Sequence, residues 1–319
     1  MRLCRFGDEV HSGVGLYDER GMVPLSEAAQ AFANATGEAI ELPNSSDLLA
    51  FLPPDGKGFA TARRVSAWVD ANRDALPRHV IHDPALVGLQ VPIPRPNKIF
   101  LLAGNYAEHI REGGGVAAER AETFPYVFMK PPSTTLTNPG TRILVPKVSP
   151  DAIDWELELA VVIGRRIKGV SEAEALQAVA GYTIINDVSN RRYKPNPGRK
   201  PRDRDKYFDW LHGKWFDTFC PCGPCITSAD AIGDPQSLKM TLKVNGETKQ
   251  DASTAQMIFP VSAVIAFIAQ MVTLEPGDLI STGTPAVVGS PKSTFLKPGD
   301  VMHGTIERIG TLVTPVEAE

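Results

Sequence analysis

A series of short β-branched segments, each interrupted by Gly or Pro, is the feature that most limits the possible folds of this chain. The series follows Pro92, Pro94 and Pro96 and reads KIFLLAG, RILVP, ELELAVVIG, YTIINDV, LKMTLKVNGETKQ, DLISTGTP and HGTIERIGTLVTPV. Short runs of this kind are typical of strands, and Asn245-Gly246 between alternating residues is a strong signal for a two-residue hairpin. The part of the chain after the prolines is therefore predicted to be mostly β.

Helices are predicted at only a few places. The best periodic segments after the prolines are SEAEALQAVA, opened by a capping-box signal at Ser171 and Glu174, and FPVSAVIAFIAQMV. The earlier residues combine β-like pieces, RLCRF and GVGLYDE, with the helical pattern GFATARRVSAWVDANRDAL. Because the closely spaced prolines stiffen the backbone as a domain linker does, we predict a small N-terminal α+β domain over 1–91 and a larger domain over 92–319.

Composition and charge exclude several classes of partner. The 319 residues are 43% hydrophobic and 22% charged, as in a soluble globular protein, and the formal net charge of -4 gives no reason to expect nucleic acid or an anionic membrane. No apolar run reaches the roughly 18 residues that a bilayer span needs. The start, MRLCRFGDEVHSG, lacks the apolar core of a signal peptide. We therefore expect a cytoplasmic location.

The segment IDWELELAVVIG contains the most informative acidic residues. Side chains alternate along a strand, so Asp154, Glu156 and Glu158 share one face, with neighbours roughly 6 to 7 Å apart. A lone acidic pair of this kind usually marks a solvent-facing side. The apolar run that follows indicates burial instead, where clustered carboxylates repel each other unless a cation neutralises them. Asp187 ends a second apolar strand, and such an oxygen-only set suits Mg²⁺, Mn²⁺ or Ca²⁺ rather than zinc.

A possible acid–base pair lies in AGNYAEHIRE, just ahead of a run of three glycines. The spacing of His109 and Glu112 places both on one face of a helix. A histidine held by a carboxylate can act as a general base toward water, a contribution of about 10² to 10⁴ in rate. Taken alone, this spacing is more often an ordinary pair on a polar helix surface.

Two further clusters have alternative interpretations. Cys220, Cys222 and Cys225, with Cys4, could close a zinc site. Zinc ribbons bring two separated pairs, however, and the Pro and Gly residues between these cysteines predict a turn and a strand, so a zinc or redox role is the less favoured hypothesis. The basic stretch RRYKPNPGRKPRDRDK from Arg191 is predicted to be a solvated loop, with attraction of an anionic substrate as the alternative.

Taken in order, these segments resemble a known family. The set GNYAEHIRE, FMKPPS, DWELELAVVIG, YTIINDVS, GKWFDTFCPCGP, VNGE and LEPGDLISTGTPAVVG is similar to the catalytic domain of the fumarylacetoacetate hydrolase family over about residues 97 to 315. The N-terminal residues resemble the small variable domain of many bacterial members. The resemblance implies a mixed β-sheet roll, sandwich-like, that usually pairs as a homodimer.

The resemblance also implies roles for individual residues. The ligands of Mg²⁺ or Mn²⁺, with Ca²⁺ possible, correspond to Glu156, Glu158 and Asp187, and the water-activating dyad corresponds to His109 and Glu112. Lys214 corresponds to a lysine that stabilises developing negative charge. The residues that this interpretation places at the substrate are Thr284, Lys130 and Tyr106.

The reaction implied is hydrolysis of a C–C bond in a β-diketo 2-oxo acid of the acylpyruvate or fumarylpyruvate type, as in aromatic compound catabolism. Such an acid can chelate a cation, which then stabilises the enolate that forms when the bond breaks. An oxaloacetate-type decarboxylase, a 2-hydroxy-dienoate isomerase and a non-catalytic protein with the same fold are the alternatives. The sequence differs from that of many family members at Trp215, where they have Ser, and at 190–193. These differences leave the identity of the substrate undecided.

Overall fold

The computed structural model describes residues 1–8 and 11–319 and combines eighteen strands with seven α-helices in that part of the chain. The strands are β1 (Arg2–Gly7), β2 (Ser12–Leu16), β3 (Val23–Pro24), β4 (Leu89–Gln90), β5 (Ile99–Ala103), β6 (Tyr126–Met129), β7 (Leu136–Thr137), β8 (Ile143–Val145), β9 (Ile153–Asp154), β10 (Leu157–Ile163), β11 (Val179–Asn186), β12 (Ser189–Asn190), β13 (Cys220–Ser228), β14 (Lys239–Val244), β15 (Glu247–Ser253), β16 (Leu279–Ser281), β17 (Val301–Ile306) and β18 (Gly310–Ala318). The α-helices are α1 (Leu25–Thr36), α2 (Phe59–Asn72), α3 (Ala107–Glu112), α4 (Glu172–Ala175), α5 (Asp205–His212), α6 (Ala229–Ile232) and α7 (Val261–Met271). Short 3-10 helices cover Leu48–Phe51, Arg73–Ala75, Arg78–Val80, Arg120–Glu122, Leu176–Ala178, Pro235–Ser237, Thr254–Gln256 and Ser290–Lys292.

Two large sheets form the body of the described residues. The first has the order β3-β2-β1-β13-β11-β10-β16-β5-β6, with β4 on β1 and β7 on β13, and the second has the order β15-β14-β17-β18-β8. Most neighbours are antiparallel, whereas β16 with β5, β13 with β7 and β18 with β8 are parallel. The predicted mixed, sandwich-like sheet architecture is confirmed.

The central strand β10 is buried on both of its faces. Leu157, Leu159 and Val161 belong to the core shared with the second sheet and α7. Ala160 and Val162 belong to the core on the opposite face, which α1 and α2 cover. A strand covered on both sides reads as a continuous apolar run, which explains why LAVVIG shows no alternation.

Most predicted elements are present where the sequence placed them. The hairpin at Asn245 and Gly246 joins β14 to β15, with φ of 51° and 83° at these residues, as its turn type requires. The α-helix predicted over SEAEALQAVA is shorter in the structure than the sequence indicated, because α4 ends at Ala175. Its capping box is present, but the chain turns through a 3-10 segment and enters β11 at Val179, because that residue pairs with Ile163 of β10.

Strands from the N-terminal part continue the larger sheet. Arg2 and Leu3 of β1 pair with Thr227 and Ile226 of β13. The two predicted segments, 1–91 and 92–319, therefore share backbone hydrogen bonds within one sheet. Their division into two domains stays a prediction. Among the described helices, none combines the length and the apolar character needed to cross a bilayer.

Candidate metal centre and acid–base pair

Three acidic residues meet where strands β10 and β11 lie side by side. Glu156 lies between β9 and β10, Glu158 lies within β10, and Asp187 directly follows β11. The antiparallel register sets Glu158 opposite Ile185, and the Asp187 amide donates to the Glu156 carbonyl at 2.8 Å. The pairing of two buried strands therefore brings together carboxylates that are about thirty residues apart in sequence.

The three carboxylates are buried and close enough to share one ion. Each offers an oxygen, and these oxygens lie within 4.8 Å of one another, the only such cluster of His, Cys, Asp or Glu found in residues 1–8 and 11–319. Glu158 Oε2 accepts hydrogen bonds from Ser281 Oγ at 2.6 Å and from the Gly283 amide at 2.8 Å, while Glu158 Oε1 has no hydrogen-bond partner. A buried carboxylate oxygen without a donor is suited to a cation. The residues present therefore fit a hard divalent metal.

Two buried lysines contact the same acids. Lys214 Nζ donates to Glu156 Oε2 at 2.9 Å, to Asp187 Oδ2 at 2.6 Å and to Ser189 Oγ at 2.9 Å. Lys130 Nζ donates to two backbone carbonyls and lies 2.5 Å from Asp187 Oδ1, an ion pair whose alignment is too poor for a hydrogen bond. Both predicted lysines therefore reach the acidic cluster, and each is bound to protein groups there.

A further ion-pair group borders the cluster. Arg191 donates through Nε to Asp154 Oδ2 at 2.8 Å and through its terminal nitrogen to Glu156 Oε1. The Asp154 carboxylate also accepts from the amides of Trp155, Gly289 and Ser290 at 2.9, 2.7 and 3.0 Å. Asp154 thus belongs to a buried network beside the cluster. Arg191, taken from the sequence as the start of a solvated loop, is mostly buried, with its side chain 14% exposed, and belongs to the same network.

The surroundings shift the pKa values of Glu156 and Glu158 in opposite directions. Burial raises the pKa of Glu158 well above its ordinary value, and the charges of Asp187 and Glu156 raise it further. Burial alone would also raise the pKa of Glu156, but the positive charges of Arg191 and Lys214 outweigh it and lower that pKa. Positive neighbours therefore favour the ionised form of Glu156, whereas burial and two acidic neighbours disfavour the ionised form of Glu158.

The two residues of the predicted acid–base pair are hydrogen-bonded to each other on α3. His109 Nδ1 lies 2.8 Å from Glu112 Oε1, and both side chains are about one-fifth exposed. Glu112 also accepts from the amides of Val287 at 2.8 Å and Val288 at 3.4 Å. Burial opposes ionisation, but the hydrogen bond from His109 and the Val287 amide lower the pKa of Glu112. Glu112 is therefore a fixed carboxylate that orients the imidazole.

The loop after β16 connects the pair with the acidic network. Its amides at 287 and 288 bind Glu112, and its amides at 289 and 290 bind Asp154. Val287 has φ of 70°, a conformation that costs a β-branched residue on the order of 1 to 3 kcal/mol, and its carbonyl accepts from Trp155 Nε1 at 3.1 Å. The surrounding hydrogen bonds hold this loop in a strained shape.

The other predicted substrate residues are placed as follows. Thr284 is buried, donates to the Leu157 carbonyl at 3.0 Å and accepts from Gln250 Nε2 at 2.9 Å. Tyr106 directly precedes α3 and is buried in the core, with its hydroxyl 3.4 Å from Met240 Sδ. Burial raises the pKa of this hydroxyl, and the charge of Glu158 raises it further, so Tyr106 lies in the electrostatic range of the cluster.

The cysteines do not form one ligand set. All four are buried, free thiols, and burial raises the pKa of Cys4 and of Cys220 to about 12. Cys4 and Cys225 belong to the core beside the second sheet, whereas Cys220 and Cys222 belong to the core on the opposite face of the larger sheet. This division explains why they appear in no candidate metal cluster of the described residues.

Sequence comparison gives a family and several relatives. Residues 98–317 match the family described as fumarylacetoacetate (FAA) hydrolase C-terminal. The chain is 35% identical to 2,4-didehydro-3-deoxy-L-rhamnonate hydrolase of Sphingomonas sp. strain SKA58, an alignment that covers 98% of this chain and 94% of that protein. It is 40% identical to the mitochondrial oxaloacetate tautomerase FAHD2A of Bos taurus, over 82% of this chain and 77% of that protein.

Structural comparison agrees with these relatives. The crystal structure of maleylpyruvate hydrolase from Sphingobium sp. SYK-6 in complex with manganese(II) and pyruvate has a TM-score of 0.69 and 28% sequence identity, covering 100% of this chain and 99% of the other. The similarity therefore extends through the N-terminal segment as well as the acidic cluster. Proteins of more than one activity share the same architecture.

Proposed function

The chain belongs to the fumarylacetoacetate hydrolase family, and from that premise we propose that it is a metal-dependent hydrolase of a β-diketo 2-oxo acid, of the acylpyruvate or fumarylpyruvate type. The observation that carries this proposal is the His109–Glu112 pair, whose carboxylate is held by two backbone amides. A histidine oriented in this way is suited to remove a proton from an attacking water.

The metal would be held by Glu156, Glu158 and Asp187. When bound, Mg²⁺ or Mn²⁺ would supply Lewis acidity toward the carboxylate and keto oxygens of a 2-oxo acid. Manganese and pyruvate occur together in the related maleylpyruvate hydrolase, which supports this ligand class. The unpaired Glu158 Oε1 and the oxygen-only donor set support the same assignment in this chain.

The protein residues would manage the proton and the negative charge. With Glu112 accepting from Nδ1, the proton of neutral His109 lies on Nδ1, so Nε2 is free to remove a proton from water. The Glu112 carboxylate would then stabilise the imidazolium. The ammonium of Lys214, buried beside Glu156 and Asp187, would stabilise negative charge that develops on the substrate. Thr284, Lys130 and Tyr106 remain our candidates for supporting the substrate or its surroundings.

Keto–enol isomerisation or decarboxylation of a 2-oxo acid such as oxaloacetate is the second candidate. The 40% identity to an oxaloacetate tautomerase favours it. Such a reaction would use the metal and Lys214 without an attacking water, so the two candidates make different demands on His109. Both share the substrate's 2-oxo acid group.

A substrate panel with one matched histidine control separates the candidates. Acylpyruvates, fumarylpyruvate and oxaloacetate are assayed with Mg²⁺ and Mn²⁺, for the wild type, His109→Ala and the exposed His79→Ala. We expect hydrolysis of at least one acylpyruvate, a loss of about 10² to 10⁴ in kcat for His109→Ala only, and unchanged Mn²⁺ affinity. Enolisation of oxaloacetate without hydrolysis of any acylpyruvate would establish the second candidate. Equal hydrolysis by both variants would remove His109 from the reaction.

A further inference from the structure

The outer strand of the second sheet buries only one of its side chains, and that side chain is polar. Strand β15 lies at the edge of its sheet, and Gln250 is the one buried residue among its seven. Burying an amide costs free energy unless its donors and its acceptor find partners. The partners of Gln250 therefore show which parts of the fold it joins.

A β-bulge places this glutamine on the inner face of the sheet. Lys243 of β14 pairs with Thr248, but its neighbour Leu242 pairs with Gln250. Lys249 is thus an extra residue on β15. Residues that pair directly lie on the same face of a sheet, and Leu242 is fully buried. Regular pairing would have set Lys249 opposite Leu242, so the bulge turns the glutamine, rather than the lysine, toward the core.

The amide of Gln250 joins two backbone segments of the site. Its Oε1 accepts from the Leu157 amide at 3.1 Å. Its Nε2 donates to Thr284 Oγ1 at 2.9 Å and to the Pro285 carbonyl at 2.8 Å, with the Ala286 carbonyl at 3.4 Å. The Thr284 hydroxyl in turn donates to the Leu157 carbonyl at 3.0 Å. Gln250 therefore holds Leu157 directly through its amide and indirectly through its carbonyl.

The two segments carry different parts of the site. Leu157 lies between Glu156 and Glu158, which are two of the three buried carboxylates that could share an ion. The segment 284–286 leads directly into the two amides that bind the carboxylate of Glu112. One buried amide group thus spans the distance from the acidic cluster to the loop that holds the acid–base pair.

We propose that Gln250 is a positioning residue, which fixes the acid–base pair on α3 relative to the carboxylates of the metal centre. This role rests on the proposed function, because a water that attacks a metal-bound substrate must lie within reach of the histidine of the pair. A displacement of about 1 Å at such a site can lower the rate by about 10²-fold. Gln250 acts through Leu157 and the segment 284–286 and needs no contact with the substrate.

A purely structural role is the alternative, and Gln90 provides a matched control for it. Its Oε1 accepts from Ser12 Oγ at 2.7 Å, and its Nε2 donates to the Asp8 carbonyl at 2.7 Å. It lies on β4, which pairs with β1, and strands β13 and β11 separate β1 from β10. Gln90→Met therefore removes an amide that is bonded on both sides, as Gln250→Met does, at a place several strands away from the site.

The first test measures kinetics and metal binding of the full chain, with circular dichroism establishing that each variant is folded. For the acylpyruvate that the wild type hydrolyses fastest, we expect Gln250→Met to lower kcat by about 10- to 100-fold and Gln90→Met to leave it unchanged. The Mn²⁺ affinity of Gln250→Met should stay within about threefold of the wild-type value, because Glu158 keeps its hydrogen bonds from Ser281 and the Gly283 amide. Loss of kcat without loss of metal affinity is the result that a displaced acid–base pair would give.

The second test uses metal-free protein without substrate. The amide resonances of Val287 and Val288 report their hydrogen bonds to Glu112, so Gln250→Met should shift both in the direction that Glu112→Ala produces. Gln90→Met should leave both resonances in place. Gln250→Asn keeps the amide but shortens the side chain by about 1.5 Å, so it cannot bridge both segments and should produce the same shifts.

Two results would overturn the proposal. One is that both valine amide resonances stay in place in Gln250→Met and in Gln250→Asn. The other is that folded Gln250→Met has the same kcat as Gln90→Met. If the wild type hydrolyses no acylpyruvate, the proposed function fails, and the resonances alone then decide whether Gln250 holds the loop.

Discussion

Replacing Asp154 by Asn tests whether the ion-pair network beside the acidic cluster is required for stability. The side chain is fully buried and its two oxygens receive four hydrogen bonds. Oδ1 accepts from the amides of Trp155 and Gly289, and Oδ2 accepts from the Ser290 amide and from Arg191 Nε. Asparagine has nearly the same shape but only one acceptor oxygen, so two of the four donors would face an NH₂ group.

The expected loss of stability is worked out from the two donors that would lose their acceptor. Burial raises the pKa of Asp154 although Arg191 opposes the shift, so the negative charge itself contributes little net stability. The loss comes instead from leaving the Ser290 amide and Arg191 Nε without an acceptor in a buried site. Each buried unsatisfied donor costs about 1 to 3 kcal/mol. We therefore expect Asp154→Asn to lower the free energy of unfolding by about 2 to 6 kcal/mol.

Urea unfolding followed by circular dichroism measures this difference, provided that the slope with denaturant is the same for both proteins. The control is Asp55→Asn, which breaks an ion pair with Arg165 that is about half exposed on both sides and should leave the unfolding midpoint nearly unchanged. If Asp154→Asn unfolds at the same urea concentration as Asp55→Asn, the network does not stabilise the fold and the hydrogen-bond argument is wrong.

Three further predictions concern the metal, the pair on α3 and the cysteines. Glu156→Gln and Asp187→Asn should each weaken Mn²⁺ binding by about tenfold or more in calorimetry, and unchanged affinity would refute the ligand assignment. The pKa of Glu112 is held below its ordinary 4.5, so its contact with the loop is present above pH 4.5 and is lost as the pH falls through the lowered pKa. The amide resonance of Val287 should therefore titrate with a midpoint below pH 4.5. A midpoint at or above pH 4.5 would contradict the contact. Replacing Cys220, Cys222 and Cys225 together by Ser should give a folded protein, and the wild type should contain less than one zinc per chain. If the wild type holds stoichiometric zinc and the variant loses both the zinc and its fold, the cysteine cluster is a metal site.

Local pattern was enough to predict the acidic cluster and the pair on α3. Glu156 and Glu158 are two residues apart at the start of β10, Asp187 directly follows β11, and His109 and Glu112 are about one helical turn apart. Each relation depends only on the periodicity of a strand or helix and on the pairing of two apolar segments. Periodicity is the part of three-dimensional structure that a sequence states most directly.

Relations across the fold were not predictable in the same way. Arg191 opens a stretch of sequence dense in basic residues, and its burial depends on Asp154 and Glu156 being aimed at it from another strand. The position of Trp215 is similar, because its indole nitrogen donates to the carbonyl of Met129 on the edge strand. A charge run carries no local signal that distinguishes Arg191, which pairs with buried carboxylates, from its more exposed neighbours.

The loop from Pro285 to Ser290 connects two motifs that are separate in the sequence, the His109–Glu112 pair and the acidic segment that begins at Asp154. Four successive amides divide into two pairs, one directed at Glu112 and the other at Asp154, and the same loop contains the positive φ of Val287. Because Asp154 binds Arg191 and Arg191 binds Glu156, a shift of this loop would change both the orientation of His109 and the charge around the acidic cluster. The two halves of the site are therefore joined by a continuous series of hydrogen bonds and ion pairs, although His109 and Asp154 are more than forty residues apart in the chain.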